Sequence, residues 1–192
     1  MKYLIAGLGN PGDEYAHSRH NIGFDVLDAF AVKHEIAFAP ARLADIASCK
    51  LRGRNILLIK PATYMNLSGK AVKYWLDKEK IPLEHLLVIV DDLALPLDTI
   101  RLRAGGADAG HNGLTSIREM LGTDQYPRLR FGIGHNYTKG HQIDFVLGAW
   151  QENEKPVIEQ KIEKSVEMIE SFVMAGITTT MNLFNHQKFN IL

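Results

Sequence analysis

The chain has 192 residues, 46% of them hydrophobic, and its 22 basic residues balance 22 acidic ones. That is material for one hydrophobic core with little left for a second, and a net charge of zero argues against a wholly basic nucleic-acid binder. No apolar run approaches a membrane span, no signal-peptide pattern opens the chain, and the single Cys49 has no partner for an internal disulfide, so a cytoplasmic protein is expected.

In chain order, Leu4-Ile5-Ala6 stops at Gly7 and gives way to Gly7-Leu8-Gly9-Asn10-Pro11-Gly12, which reads as a buried strand ending in a tight loop. The glycines fit G-x-G-x-x-G, but Pro11 and the polar residues after it separate them from the next helix. A pyrophosphate site needs the helix to begin inside the glycine run. The acidic residue expected at the end of a second strand is also missing, because Ile36-Ala37-Phe38-Ala39 ends in Pro40. No dinucleotide cofactor is expected.

His20 and Asn21 open a helix to about His34, with Asn21 as its N-cap and Ile22, Val26, Leu27, Phe30 and Ala31 at helical spacing. Leu43 to Leu51 and Asn55 to Ile59, joined through Arg52-Gly53-Arg54, predict an antiparallel hairpin in which Cys49 is a buried small hydrophobe. A loop at Pro61-Ala62-Thr63-Tyr64-Met65-Asn66 leads into a helix from about Ser68 to Lys78. Leu86 to Val90 is short and β-branched and reads as a central strand ending in Asp91-Asp92. Thr99 to Arg103 alternates, placing Arg101 and Arg103 on one face. A Gly/Ala-rich loop, Ala104 to Gly110, delivers His111-Asn112-Gly113 to a helix ending near Leu121, and Leu129 to Ile133 is a further strand. Asp144 to Gly148 leads to a last helix from about Glu152 to Ala175, with Pro156 tolerable near its first turn. The pattern is that of an α/β single domain over residues 1–192: a twisted mixed β-sheet with helices on both faces.

Polar residues stand where regular structure stops: Asn10, Asn66, Asp91, His111 and Asn112, with His20. Taken singly, asparagine and aspartate belong in turns and caps; His20, beside Arg19, also reads as a solvated first-turn residue. Taken together, they lie at the carboxyl ends of strands, where open α/β sheets bind ligands. A neutral imidazole with a pKa near ~6.5 takes a proton from water, and a carboxylate on its other nitrogen fixes the tautomer. His20 with Asp91 supplies that pair, and asparagine amides hold a carbonyl or a developing oxyanion without adding charge. No serine or cysteine sits in a nucleophile elbow, so water is the simpler nucleophile. His17-x-x-His20 and Asp91-Asp92 offer metal-ligand atoms but no recognised zinc spacing, and no metal is expected.

His34, His85, His135 and His186 read as surface or packing residues, His141 is unassigned, and Trp75, Phe131 and Trp150 read as core. Tyr15 and Tyr64 are better placed to contact a flat ring. From Lys50 to Lys73 there are six basic residues and no acidic one, which suggests a local positive face.

Gly7-Leu8-Gly9-Asn10-Pro11-Gly12 with Tyr15 and Arg19-His20-Asn21-x-Gly23, Lys60-Pro61-x-Thr63-Tyr64-Met65-Asn66-Leu67-Ser68-Gly69, Asp91-Asp92-Leu93, Gly110-His111-Asn112-Gly113-Leu114, Arg128-Leu129-Arg130-x-Gly132-Ile133-Gly134 and Phe145-Val146-Leu147-Gly148 together resemble the bacterial peptidyl-tRNA hydrolases. The resemblance implies hydrolysis of the ester between a peptide and the 3′ end of tRNA, with no cofactor, no membrane association, no obligate protein partner and a monomeric enzyme. By the family pattern His20 is the general base, Asp91 supports it, and Asn10 helps to recognise a blocked α-amino group. Asn66 bonds the peptide backbone, Tyr15 and Tyr64 line the site, Asn112 positions the water or ester carbonyl, and His111 supports the cluster. Arg103 and Arg130 match positions that grip the 5′-phosphate end of the acceptor stem. Ala94, where relatives often carry an acid, and Asp108, in a loop usually more glycine-rich or basic, depart from the pattern. The alternative that the resemblance leaves is a non-catalytic RNA-binding or splicing-partner protein on the same scaffold.

Overall fold

Among residues 1–190, which the computed structural model describes, seven strands form one mixed sheet: β1 (Lys2–Gly7), β2 (Ala39–Pro40), β3 (Ala44–Leu51), β4 (Arg54–Pro61), β5 (Leu86–Asp92), β6 (Ile100–Arg103) and β7 (Arg128–Gly132). Their order across the sheet is β2-β3-β4-β1-β5-β7-β6. The central strands β4, β1, β5 and β7 run parallel, while β2, β3 and β6 are antiparallel to their neighbours. The helices are α1 (Ile22–Lys33), α2 (Ser68–Glu79), α3 (Asn112–Leu121), α4 (Gln142–Val146), α5 (Lys155–Ala175) and α6 (Ile177–Phe184).

Strands β1 and β5 are apolar on both faces because both faces are covered. Tyr3, Ile5, Leu87 and Ile89 join one core with Val26 and Phe30 of α1 and Val166, Ile169 and Phe172 of α5. Leu4, Ala6, Val88 and Val90 join the other with Val72 and Trp75 of α2 and Leu114 and Ile117 of α3. The hairpin turns at Arg52 and Gly53, both at positive φ (46° and 85°), which matches the twist of the flanking strands.

Three elements were not expected from sequence: the two-residue edge strand β2, the short α4, and α6. The first helix begins at Ile22, directly after Asn21 as expected, and Arg19–Asn21 before it form a 3-10 turn. Cys49 is half-buried rather than enclosed. No helix among the described residues is long and apolar enough to cross a membrane.

Lys161 of α5 is fully buried, and its Nζ donates to the carbonyls of Leu97 (2.8 Å) and Gly132 (2.5 Å) while lying 4.0 Å above the Phe131 ring. Burial pulls its pKa down to about 7, against the opposing pull of Asp98. A lysine depressed in the folded state binds fewer protons there than in the unfolded chain. The penalty is therefore complete below about pH 7 and fades as pH rises toward the ordinary lysine value. Wild type should thus gain stability relative to Lys161→Met between pH 7 and 9.5, by up to about 1.4 kcal/mol per pH unit. Denaturant midpoints at several pH values test this, and parallel curves for the two proteins would contradict it.

Candidate active site

Two glycines set the site. A Cβ on Gly7 would lie 2.3 Å from the Gly23 carbonyl oxygen, and one on Gly23 would lie 2.4 Å from the Leu8 nitrogen and 2.7 Å from the Ile89 oxygen. Without side chains there, the start of α1 rests directly on the carboxyl ends of β1 and β5. The turn before α1 carries His20, and Asp91 lies two residues beyond Ile89.

The His20 Nδ1 is 2.9 and 3.0 Å from the two Asp91 carboxylate oxygens, and the His111 Nε2 is 2.9 Å from one of them. Asp91 is only 4% exposed. His111 is the N-cap of α3, where its Nδ1 accepts from the backbone N–H of Gly113 (3.1 Å) and Leu114 (3.4 Å). An unprotonated Nδ1 places the His111 proton on Nε2, which donates to Asp91. An ionised carboxylate only accepts, so His20 donates from Nδ1 and keeps its Nε2 lone pair for another proton. Burial raises the Asp91 carboxyl, but the two imidazoles outweigh it and hold the group well below the usual carboxylate range.

The donor atoms of His20, Asp91 and His111 lie within 4.8 Å of one another, as three metal ligands would. The chemistry opposes that use: a metal on His111 Nε2 would leave the ring proton on Nδ1, pointing at the N–H groups of Gly113 and Leu114. Neither pair considered from sequence forms a joint ligand set, because His17 bonds Asp25 (2.8 Å) and Asp92 faces Arg130 (3.4 Å). The reading of His20 as a solvated first-turn residue also fails, since its side chain is 12% exposed and bound to Asp91.

A cleft of about 510 Å³ opens beside this cluster, lined by His20, Asp91, Asp92, His111, Asn112 and Arg130, with Leu93, Leu114, Ile143 and Val146 as apolar wall. His135, read from sequence as a surface or packing residue, is exposed and also lines it. Asn10, Tyr15, Tyr64 and Asn66 do not line this cleft. They occupy adjoining loops, held together because Asn10 Oδ1 accepts from the Met65 N–H (2.7 Å) and Tyr15 meets Tyr64 edge-on with centroids 6.5 Å apart. Met65 in turn abuts the cluster: a Cβ on Gly113 would lie 2.7 Å from its sulfur and 3.1 Å from the His111 ring. With its oxygen engaged, Asn10 has its NH2 group to offer a ligand. Asn66 and Asn112 are exposed.

Asn21 does not cap α1 with its side chain. It exchanges two 2.9 Å hydrogen bonds with the backbone of Asn10, so it fixes the loop that presents Asn10. The capping signal hid this role, since the same side chain serves both geometries.

Strands β6 and β7 bring four arginines together, with Arg101 opposite Arg130 and Arg103 opposite Arg128. Arg128 is fully buried and structural, donating to the carbonyls of Asp124, Tyr126 and Ala107. Arg130 donates to Ala107 (2.8 Å) and Asp92 (3.4 Å). Burial and the neighbouring Arg101 and Arg130 pull the Arg103 pKa down. Like charges placed opposite one another on a sheet are destabilising, which suits a surface that meets an anion. Asp108 closes the adjacent loop by accepting from Gly110 N–H (3.2 Å) and pairing with Arg118 (3.3 Å). The basic run from Lys50 to Lys73 does not form one face. Arg54 begins β4 beside Lys2, at the end of the sheet away from the cleft, while Lys60 pairs with Asp28 and Lys73 with Asp77.

A family model described as peptidyl-tRNA hydrolase matches residues 4–191. The peptidyl-tRNA hydrolase of Phocaeicola vulgatus is 53% identical over 185 residues, covering 96% of this chain and 99% of that protein. That of Porphyromonas gingivalis is 50% identical over 185 residues, covering 96% of this chain and all of that protein. Among solved structures, the crystal structure of peptidyl-tRNA hydrolase from Acinetobacter baumannii superposes with a TM-score of 0.91 at 34% identity, over 97% of this chain and 95% of that one.

Proposed function

Because the chain belongs to the peptidyl-tRNA hydrolase family and hydrolyses peptidyl-tRNA, we propose that His20 is the general base of that reaction and Asp91 the group that orients it. Water in the cleft attacks the carbonyl carbon of the ester between the peptide and the 3′-terminal ribose. The His20 Nε2 takes its proton, and the nascent imidazolium is balanced by Asp91. The Asn10 and Asn112 amides donate to the substrate carbonyls or the tetrahedral oxyanion. Collapse of that intermediate breaks the bond to the ribose oxygen, which receives the proton from His20. Asn66 bonds the peptide backbone, Tyr15 and Tyr64 flank it, and His111 holds Asp91 from the other side. Every group this scheme uses comes from one chain, and the scheme uses no cofactor.

The observation that carries the reading is the 2.9 Å contact from His20 Nδ1 to Asp91, because it leaves Nε2 as a base. Incubation with N-acetyl-aminoacyl-tRNA tests it: release of free N-acetyl amino acid supports hydrolysis through this site, and binding without release favours a non-catalytic RNA-binding protein.

Arg103 and Arg130 would take the 5′-phosphate end of the acceptor stem, which supplies affinity and register without reading sequence. Arg130→Ala should raise KM and reduce the slope of log affinity against log salt by about one. An unchanged slope would count against the phosphate contact.

A further inference from the structure

We propose that Arg19 is a positioning residue for the reaction: it fastens the α4 wall of the cleft to the turn that carries His20. The inference rests on the reading of His20 given above. Arg19 directly precedes His20 and is only 5% exposed. Its Nη1 donates to the Phe145 carbonyl (3.1 Å) at the end of α4, and its Nη2 pairs with Glu154 (3.0 Å) just before α5. The guanidinium lies 4.2 Å above the Phe145 ring and 5.3 Å from that of Trp150. The Arg19 backbone N–H donates to the Gly148 carbonyl (3.0 Å), and Ser18 forms an isolated bridge with Ala149.

These contacts converge on the part of the cleft least able to hold itself. No residue of α4 is buried, yet α4 supplies Gln142, Ile143 and Val146 to the cleft lining. The helix behind it, α5, has its own stripe of buried residues. Loss of the guanidinium fork should therefore loosen α4 rather than α5, and move one wall of the cleft relative to the imidazole. A misplacement of that kind acts on orientation at the reacting centre, where about 1 Å costs up to about 10²-fold.

Lysine at position 19 keeps the charge but cannot reach Phe145 and Glu154 together while lying flat on the Phe145 ring. Arg19→Lys should fold, bind deacylated tRNA as wild type does, and lose about tenfold to 10²-fold in kcat, with faster amide exchange in residues 143–148 than in α5. Glu154→Gln still accepts from Nη2 and leaves the Phe145 arm intact, so its kcat should stay within about twofold of wild type. If Arg19→Lys fails to fold, Gly148→Ala replaces it: the added Cβ would lie 3.1 Å from Nη1 and 3.0 Å from the Asp144 carbonyl oxygen, so it crowds the junction between the guanidinium and α4 without removing the charge. A folded Arg19→Lys or Gly148→Ala protein with wild-type kcat would overturn the inference. His20→Ala assayed alongside separates the two readings: an inactive His20→Ala beside a fully active Arg19→Lys refutes only the role of Arg19, whereas an active His20→Ala refutes the base itself.

Discussion

Replacing His20 by alanine is expected to lower hydrolysis of N-acetyl-aminoacyl-tRNA by at least about 10² to 10⁴-fold, while leaving affinity for deacylated tRNA within about twofold. The split follows from where the groups lie. The His20 ring bonds Asp91, whereas the arginines proposed to hold phosphate come from β6 and β7 and share no hydrogen bond with that ring, although Arg130 lines the same cleft. Among the described residues, no cysteine or serine lines the cleft to take over from water. Single-turnover assays with enzyme in excess, beside filter binding of tRNA, separate the two quantities. Hydrolysis at the wild-type rate would remove His20 from the mechanism.

Asp91→Asn should have an effect of comparable size, about 10³ to 10⁴-fold in kcat, for a different reason. The carboxylate accepts from two imidazoles at once, at 2.9 Å from His111 and 2.9 Å from His20. An asparagine brings an NH2 group that clashes with one of those N–H donors. His111 is held in its tautomer by the start of α3, so His20 is the ring free to change, and its proton moves to Nε2 where the base must be empty. The same substitution removes a stabilising charge. Because the folded Asp91 pKa is depressed, its contribution is complete above the ordinary carboxylate value and is lost as pH falls through the folded one. The stability gap between wild type and Asp91→Asn should therefore be widest near neutral pH and narrow below about pH 4. Protonation of Asp91 accordingly does not explain a loss of activity at mildly acidic pH.

Much of this was legible because local signals agreed. The apolar runs of β1 and β5, the hairpin glycine and the stripes of α1, α2, α3 and α5 each state one structure. The candidate site was legible through its polar residues at strand ends, of which His20 and Asp91 are in contact. What stayed hidden was decided by packing. Arg128 and Arg130 are two apart on β7 with only Leu129 between them, yet one is fully buried and the other borders the cleft. Both reach the Ala107 carbonyl, but only Arg128 also donates to the carbonyls of Asp124 and Tyr126 just before it in the chain. The burial of Arg19 was not legible, because nothing local tells that Phe145 and Glu154 will close over it. The basic run from Lys50 to Lys73 looked continuous because linear charge density ignores that a hairpin sends its two ends apart. Asn21 carried a capping signal and spends its side chain on Asn10 instead.

The central claim is a statement about where two protons sit, and nitrogen-15 NMR of histidine-labelled protein near neutral pH reads it directly. The expected spectrum has His20 protonated at Nδ1 with a free Nε2, and His111 protonated at Nε2 with Nδ1 accepting from the backbone. A His20 ring carrying its proton on Nε2, or a His111 ring carrying two protons, would contradict the assignment of His20 as the base held ready by Asp91.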